Sequence, residues 1–299
     1  MAAALIDGNK ISAEWRGRAA EAAAELAPRL GRTPCLAVVL VGEDPASQVY
    51  VRNKNEKTHA AGMRSVEIKL PATIGQAELE ARVTALSADD SVDGILVQLP
   101  LPKGLESNRV LACLDPAKDV DGLTVQSAGR LLAAAPGLRP CTPAGAVILA
   151  KHALGSLSGK NCVVLGRSLL VGKTAALLFL AEDCTISIAH SRTKDLPALC
   201  RSADILVAAI GKPNFVRGDW VKPGACVIDV GINRVEPTEP GGKAKLTGDV
   251  NFAEASQVAG SITPVPGGVG PMTIACLLRN TVIAAAMRKG LAVPSVLDV

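Results

Sequence analysis

At 299 residues the chain is long enough for two ordinary domains, and its 48% hydrophobic and 20% charged residues are the balance of a globular protein with a filled core. Aromatics make up only 2%, so that core must rest on Ala, Val, Leu and Ile. The formal charge of +4 is spread among acids without a basic stripe or tail, which argues against a nucleic-acid partner, and no uncharged apolar run reaches the roughly 20 residues of a membrane span.

The N-terminal stretch Met1-Ala-Ala-Ala-Leu-Ile-Asp-Gly has no basic region leading into an apolar one, so no secretory signal is expected. The first strand signal is Leu36-Ala-Val-Val-Leu-Val41, ended by Gly42. A helix should follow with Asp44 as N-cap and Pro45 at the first helical position, where a missing N–H costs nothing; Gly62 is its expected stop. Val66-Glu-Ile-Lys-Leu70, a helix around Gln76 to Ser87 and the strand Gly94-Ile-Leu-Val-Gln-Leu99 complete a βαβαβ pattern, which implies parallel strands covered by helices.

From Asp115 to Pro143 the chain is rich in Pro and Gly and lacks clean periodicity, so the domain junction is placed there. A second block begins with a helix through Ala144 to Ala153. It continues through Asn161-Cys-Val-Val-Leu165, the loop Gly166 to Gly172 and a helix through Ala181. Thr185-Ile-Ser-Ile-Ala189, a short helix near Leu196, Asp204 to Ile210 and Ala225 to Val230 follow, and a last helix should run from near Pro271 through Met287. The fold class expected is α/β with two domains, an N-terminal βαβ-type parallel-sheet domain and a Rossmann-like dinucleotide-binding domain with a cleft between them. The expected boundaries are 1–120 for the catalytic domain, joined by a C-terminal helix 275–299 that packs back on it, 121–139 for the junction and 140–274 for the dinucleotide-binding domain.

Eight cysteines stand at 35, 113, 141, 162, 184, 200, 226 and 276 without a C-x-x-C pair, several inside apolar runs. They read as small buried hydrophobes, not as a metal site or disulfide framework, and suit a reducing, cytoplasmic compartment.

Gly166 follows an apolar strand and Gly172 precedes an apolar helix, the context in which helix N–H groups hold a pyrophosphate. The spacing is not G-x-G-x-x-G, and an ordinary βα turn would look the same. The next strand ends in His190-Ser191-Arg192-Thr193 without the carboxylate that binds a ribose 2′-hydroxyl. Ser191 and Arg192, with Arg167 and Ser168, suit a 2′-phosphate, since the guanidinium fork pairs with phosphate oxygens; a solvated basic turn is the alternative. In the first block Ser47, Tyr50 and Lys54 share one helix face just beyond the carboxyl end of a strand. Gln98 sits in an apolar strand where it must find hydrogen-bond partners. Asp119 and Asp121 stand in Lys118-Asp-Val-Asp-Gly122, where a turn closed by Asx side chains is equally possible. Thr263 to Thr273, with three prolines and three glycines before a helix, is a rigid loop able to approach a ligand closely.

Ser47-x-x-Tyr50-Val-x-x-Lys54, Gly94-Ile-Leu-Val-Gln-Leu-Pro-Leu-Pro102, Lys118-Asp-Val-Asp-Gly122, Pro140-Cys-Thr-Pro143 and Val164-Leu-Gly-Arg-Ser168 stand in one order with Val227-Ile-Asp-Val-Gly-Ile-Asn233, Gly248-Asp-Val250 and Pro264-Val-Pro-Gly-Gly-Val-Gly-Pro-Met-Thr273. In that order they resemble the bifunctional methylenetetrahydrofolate dehydrogenase/cyclohydrolase family over roughly Ile6 to Lys289. The resemblance implies oxidation of 5,10-methylenetetrahydrofolate with NADP and hydrolysis of the methenyl product to 10-formyltetrahydrofolate. It implies Lys54 as catalytic lysine, Tyr50 flanking the folate ring, Gln98 tuning Lys54 and Asp121 binding the pterin. It further implies Ser47, Gly268 and Pro271 at the folate, and Gly166, Arg167, Ser168, Ser191, Arg192 and Ile232 at the dinucleotide. A homodimer is implied, without metal, membrane or nucleic acid. A monofunctional dehydrogenase and a non-catalytic folate- or dinucleotide-binding regulator are the alternatives. The sequence departs from the family pattern at Glu56, Leu123-Thr124, Ser127 and Thr174.

Overall fold

The computed structural model describes residues 2–236 and 244–298. In chain order its elements are β1 (Ala4–Leu5), α1 (Gly8–Leu30), β2 (Cys35–Val41), α2 (Pro45–Ala60), β3 (Arg64–Leu70), α3 (Gln76–Ala88) and β4 (Gly94–Val97). Three helices follow, α4 (Ser107–Ala112), α5 (Val125–Leu132) and α6 (Cys141–Leu154). Then come β5 (Asn161–Leu165), α7 (Gly172–Ala181), β6 (Thr185–Ala189), α8 (Leu196–Arg201), β7 (Ile205–Ala208) and β8 (Cys226–Asp229). The chain ends with the hairpin β9 (Asn233–Val235) and β10 (Lys245–Thr247), α9 (Phe252–Ala255), β11 (Ser261–Ile262) and α10 (Val269–Arg288).

These elements form two compact units. One comprises Ala13–Cys141 and Ile274–Val299, the other Met1–Ser12 and Thr142–Thr273. This division differs from the sequence expectation in two places. The first residues pair with the second unit, because β1 lies parallel to β11, with Ala4 opposite Ser261. The stretch taken as a junction is built into the first unit. Ile95 donates to the Lys118 carbonyl (2.8 Å), and buried Asn280 on α10 donates to the carbonyls of Val120 and Arg139 (2.8 and 2.7 Å).

In the first unit β3, β2 and β4 form a parallel sheet in that order. All seven residues of β2 are buried, as a central parallel strand requires. Asp44 caps α2 by accepting from the Ser47 N–H (2.7 Å), with Pro45 opening the helix. Cys35, Ala37, Val39, Leu79, Val83, Ile95 and Val97 make one core face. On a second core, Ala19, Ala22, Ala23 and Leu26 of α1 meet Leu278, Val282 and Ala285 of α10. Small alanines let these backbones come close where aromatic bulk is scarce.

By length and composition α10 could cross a membrane, although Arg279 interrupts its apolar run; 67% of its apolar window is buried inside the protein, as in a core helix. All eight cysteines are free thiols, and only Cys113 is partly exposed.

The second unit carries a six-stranded sheet in the order β1-β11-β8-β7-β5-β6, every pairing parallel. From β5 the chain goes outward to β6 and then crosses to β7 on the other side. That reversal creates a crevice beyond the carboxyl ends of β5 and β7, where open α/β sheets bind ligands.

Candidate active site and dinucleotide pocket

The first unit has the same kind of reversal at β2, and its site is assembled from three strand ends. The helix after β2 carries Lys54, which is buried, and Ser47, also buried, on the same face. Gln98 follows β4 and is held there by its own N–H to the Val39 carbonyl (2.9 Å). Residues 118–120 lie beside β4 through the Ile95–Asp119 bridge, which places Asp121 at the end of that strand-like segment.

The Lys54 Nζ donates to Gln98 Oε1 at 2.8 Å, and the Gln98 amide donates onward to the Leu99 carbonyl at 2.7 Å. This second bond fixes which way the amide faces, so an oxygen is presented to the lysine. Burial lowers the Lys54 pKa, against the opposing pull of Asp121 and Cys141. Burial raises the Asp121 carboxyl, with Asp119 adding to the rise and Lys54 opposing it. Cys141 is pushed well above the ordinary thiol range by burial and by Asp121. Titratable groups whose proton affinities are shifted by burial and by one another are the kind that mark a candidate functional site. Tyr50 stays 38% exposed on α2, so its ring is available to a ligand, and its phenol is raised by partial burial.

The two aspartates separate into different roles. Asp119 accepts from the N–H groups of Leu123 (3.0 Å) and Thr124 (2.8 Å) and from the Ser127 hydroxyl (2.6 Å), so it closes the turn. Thr124 and Ser127, two departures from the family pattern, belong to this network: Thr124 caps α5 and its hydroxyl donates to Ser127 Oγ (3.0 Å). Cys141 was expected to be only a buried hydrophobe; its thiol donates to the Val120 carbonyl (3.1 Å) and touches the electrostatics of both Lys54 and Asp121. Its place inside Pro140-Cys-Thr-Pro143 was the available signal.

In the second unit a cavity of about 280 Å³ lies at the switch point, lined by Gly166, Arg167, Ser168, Ser191, Lys212 and Phe215 among others. Gly166 adopts φ +122°, and a Cβ there would overlap the Ala209 carbonyl; one on Gly172 would overlap the Gly166 carbonyl. Both positions need the bare backbone, which is how a loop comes close to a pyrophosphate. Ser168 Oγ accepts from the N–H groups of Val171 (3.2 Å) and Gly172 (3.4 Å), capping α7. Thr174, another departure from the family pattern, bonds back to the carbonyls of Leu169 and Val171 (3.1 and 3.0 Å) and so closes the loop. Arg192 and Ile232 do not line the cavity, while His190 and Lys212, not singled out in the sequence, do. Gly268 and Pro271 sit where the last loop enters α10; Gly268 packs so tightly on Pro264 and Thr263 that a Cβ would overlap both.

A parallel sheet with a glycine loop and a cavity at its switch point, in a chain that also holds a buried lysine bonded to Gln98 and in the field of Asp121, defines a two-domain α/β oxidoreductase. Comparisons narrow the class. Residues 6–121 match the catalytic-domain model, and residues 140–289 the NAD(P)-binding-domain model, of the tetrahydrofolate dehydrogenase/cyclohydrolase family. The bifunctional protein FolD of Maricaulis maris is 65% identical over 96% of this chain and 97% of its own length. Among solved structures, the FolD dehydrogenase/cyclohydrolase of Campylobacter jejuni superposes with a TM-score of 0.91 at 43% identity, covering 96% of this chain and all of that one. The Trypanosoma brucei enzyme, solved with NADP cofactor and an inhibitor, gives 0.89 at 38% identity over 98% of this chain and 100% of that one. The chain belongs to the tetrahydrofolate dehydrogenase/cyclohydrolase family and is a bifunctional enzyme with both its domains.

Proposed function

We propose that Lys54 carries the proton transfers of this enzyme's hydrolytic reaction and that Gln98 and Asp121 set its state; the observation that carries the reading is the 2.8 Å hydrogen bond from the buried Lys54 to Gln98 Oε1. The enzyme oxidises 5,10-methylenetetrahydrofolate with NADP and hydrolyses the 5,10-methenyl product to 10-formyltetrahydrofolate. When bound, NADP accepts the hydride that leaves the methylene carbon.

In hydrolysis the oxygen of water bonds to the methenyl carbon and its proton passes to the Lys54 amine. The carbon–N5 bond then breaks with its electron pair on N5, which takes up a proton while the hydroxyl proton is lost, so one proton is released overall. The amine can act as base because burial depresses its pKa, and Gln98 Oε1 holds it in place. Asp121 binds the pterin, whose adjacent N–H donors suit a two-oxygen acceptor. Tyr50 supplies an exposed ring face to the folate, and Ser47, Gly268 and Pro271 complete the substrate contacts.

Gly166, Arg167, Ser168 and Ser191 hold the dinucleotide in the cavity they line; Arg192 and Ile232, outside that lining, contact the bound cofactor. Arg167, Ser191 and Arg192 favour NADP over NAD through the 2′-phosphate. The enzyme works as a homodimer in the cytoplasm, where its eight free thiols stay reduced. Steady-state assays of both reactions on the parent protein and on Lys54→Met test this reading. Hydrolysis at the parent rate in that variant would remove Lys54 from the mechanism, and a preference for NAD would overturn the phosphate assignment.

A further inference from the structure

We propose that Asp249 is a positioning residue for NADP: its carboxylate sets the backbone of residues 210–212, which wall the dinucleotide cavity. The segments Val227–Asn233 and Gly248–Val250 stand out in the sequence, yet apart from Ile232 the reaction assigns them no task. They hold two carboxylates acting in series.

Asp249 is fully buried. Its Oδ2 accepts from the N–H groups of Ile210 (2.6 Å) and Gly211 (3.0 Å), and its Oδ1 from Lys212 N–H (2.9 Å) and Asn233 Nδ2 (2.9 Å). Three consecutive amides can converge on one carboxylate only if the backbone turns back on itself, and Gly211 does so at φ +68°. The sheet ladder has ended one residue earlier, with Ala209 N–H on the Leu165 carbonyl. Beyond that point the carboxylate takes over from the sheet as acceptor. Ile210 and Lys212 then face the cavity shared with Gly166 and Ser191.

Asp229 holds Asp249 in turn. At the end of β8 it accepts from the N–H groups of Asp249 (2.9 Å), Val250 (2.9 Å) and Gly231 (3.0 Å). Side chains would not fit in this cluster: a Cβ on Gly231 would overlap the Asp249 carboxylate, and one on Gly248 that of Asp229. The cavity wall is thus tied to the core through carboxylates that are not themselves among the residues lining the cavity.

The inference rests on NADP binding in this cavity, and the test separates the two. In Asp249→Asn an amide group must face donors at one of the two oxygen positions, so two of the four bonds are lost. The expected results are a Kd for NADP, by titration calorimetry on the full chain, about tenfold weaker, with a matching rise in KM for NADP and a kcat changed less than about threefold. Hydrogen exchange at residues 210–212 should accelerate, while hydrolysis of methenyltetrahydrofolate assayed without NADP stays at the parent rate. An unchanged Kd, or a loss of hydrolysis in step with NADP affinity, overturns the proposal. Should that variant not fold, Asn233→Ala decides: a Kd about threefold weaker supports the proposal and an unchanged Kd overturns it. A parent protein that binds no NADP would instead refute the cavity assignment.

Discussion

The two units treat buried charge in opposite ways. In the first, the Lys54 ammonium is buried with Gln98 Oε1 as its side-chain acceptor, and burial weakens its hold on a proton. In the second, Asp249 and Asp229 are buried just as deeply, but seven donors converge on their four oxygens. An under-bonded buried charge is unstable in its ionised form and therefore chemically useful. A carboxylate on which several backbone donors converge instead holds the backbone around it, even where burial still raises its pKa. The same desolvation that prepares a reactant in one unit makes a scaffold in the other.

The widest separation between the two should come from Lys54→Met. Hydrolysis should fall by about 10²-fold or more, the usual range for a lost acid–base group. The Tm should hold or rise, because a desolvated ammonium is replaced by an apolar chain of similar length. A marked fall in Tm would mean that Lys54 is part of the scaffold and would erase the contrast.

Asp229→Asn probes the other side. Donors left without their carboxylate should cost about 1–3 kcal/mol, seen as a lower Tm. Burial pushes the Asp229 pKa up to about 7 against three backbone N–H bonds that pull it down. A carboxyl that binds its proton more tightly folded than unfolded contributes stability below the unfolded value, near 4, and loses it as pH rises through about 7. The Tm gap between parent and variant should therefore be widest near pH 4 and narrow toward pH 7. A gap that widens with pH would show that the N–H bonds prevail over burial.

Gln98→Glu should act more gently, adding a negative charge beside Lys54 and raising its pKa. The acid limb of the hydrolysis profile should then move to higher pH, with little change in Tm; a limb that stays in place would separate Gln98 from the proton transfer. The smallest effect is expected from Thr124→Ala, which removes the α5 cap at about 1 kcal/mol. A Tm lower by about 2–4 °C with both activities retained would keep this network structural, whereas a raised KM for folate would tie it to Asp121.

Much of the α/β pattern was legible because parallel strands announce themselves as apolar runs. Asn161–Leu165 and Thr185–Ala189 lie where the sequence puts them, and Asp44 and Pro45 open α2 as their chemistry dictates. The long helix α1 was not read: its many alanines and the interior Gly17 give no clear apolar stripe, and its burial comes from α10, far along the chain. The tie between Asn280 and Val120 spans 160 residues, so no local pattern could show that 121–139 is anything but a linker.

The site was legible as a set of residue types without partners. Lys118-Asp-Val-Asp-Gly122 offers two equivalent carboxylates; only the hydrogen bonds from Leu123, Thr124 and Ser127 show that Asp119 closes the turn while Asp121 answers to Lys54. The sequence by itself determined the alternation of strands and helices, the capped start of α2 and the motif order that marks the family, because each is written in neighbouring residues. Tertiary structure alone decided which charges are left reactive and which are saturated. Burial and donor count depend on strand ends brought together from distant parts of the chain, and these two quantities set the protonation of Lys54 and the fixity of Asp249.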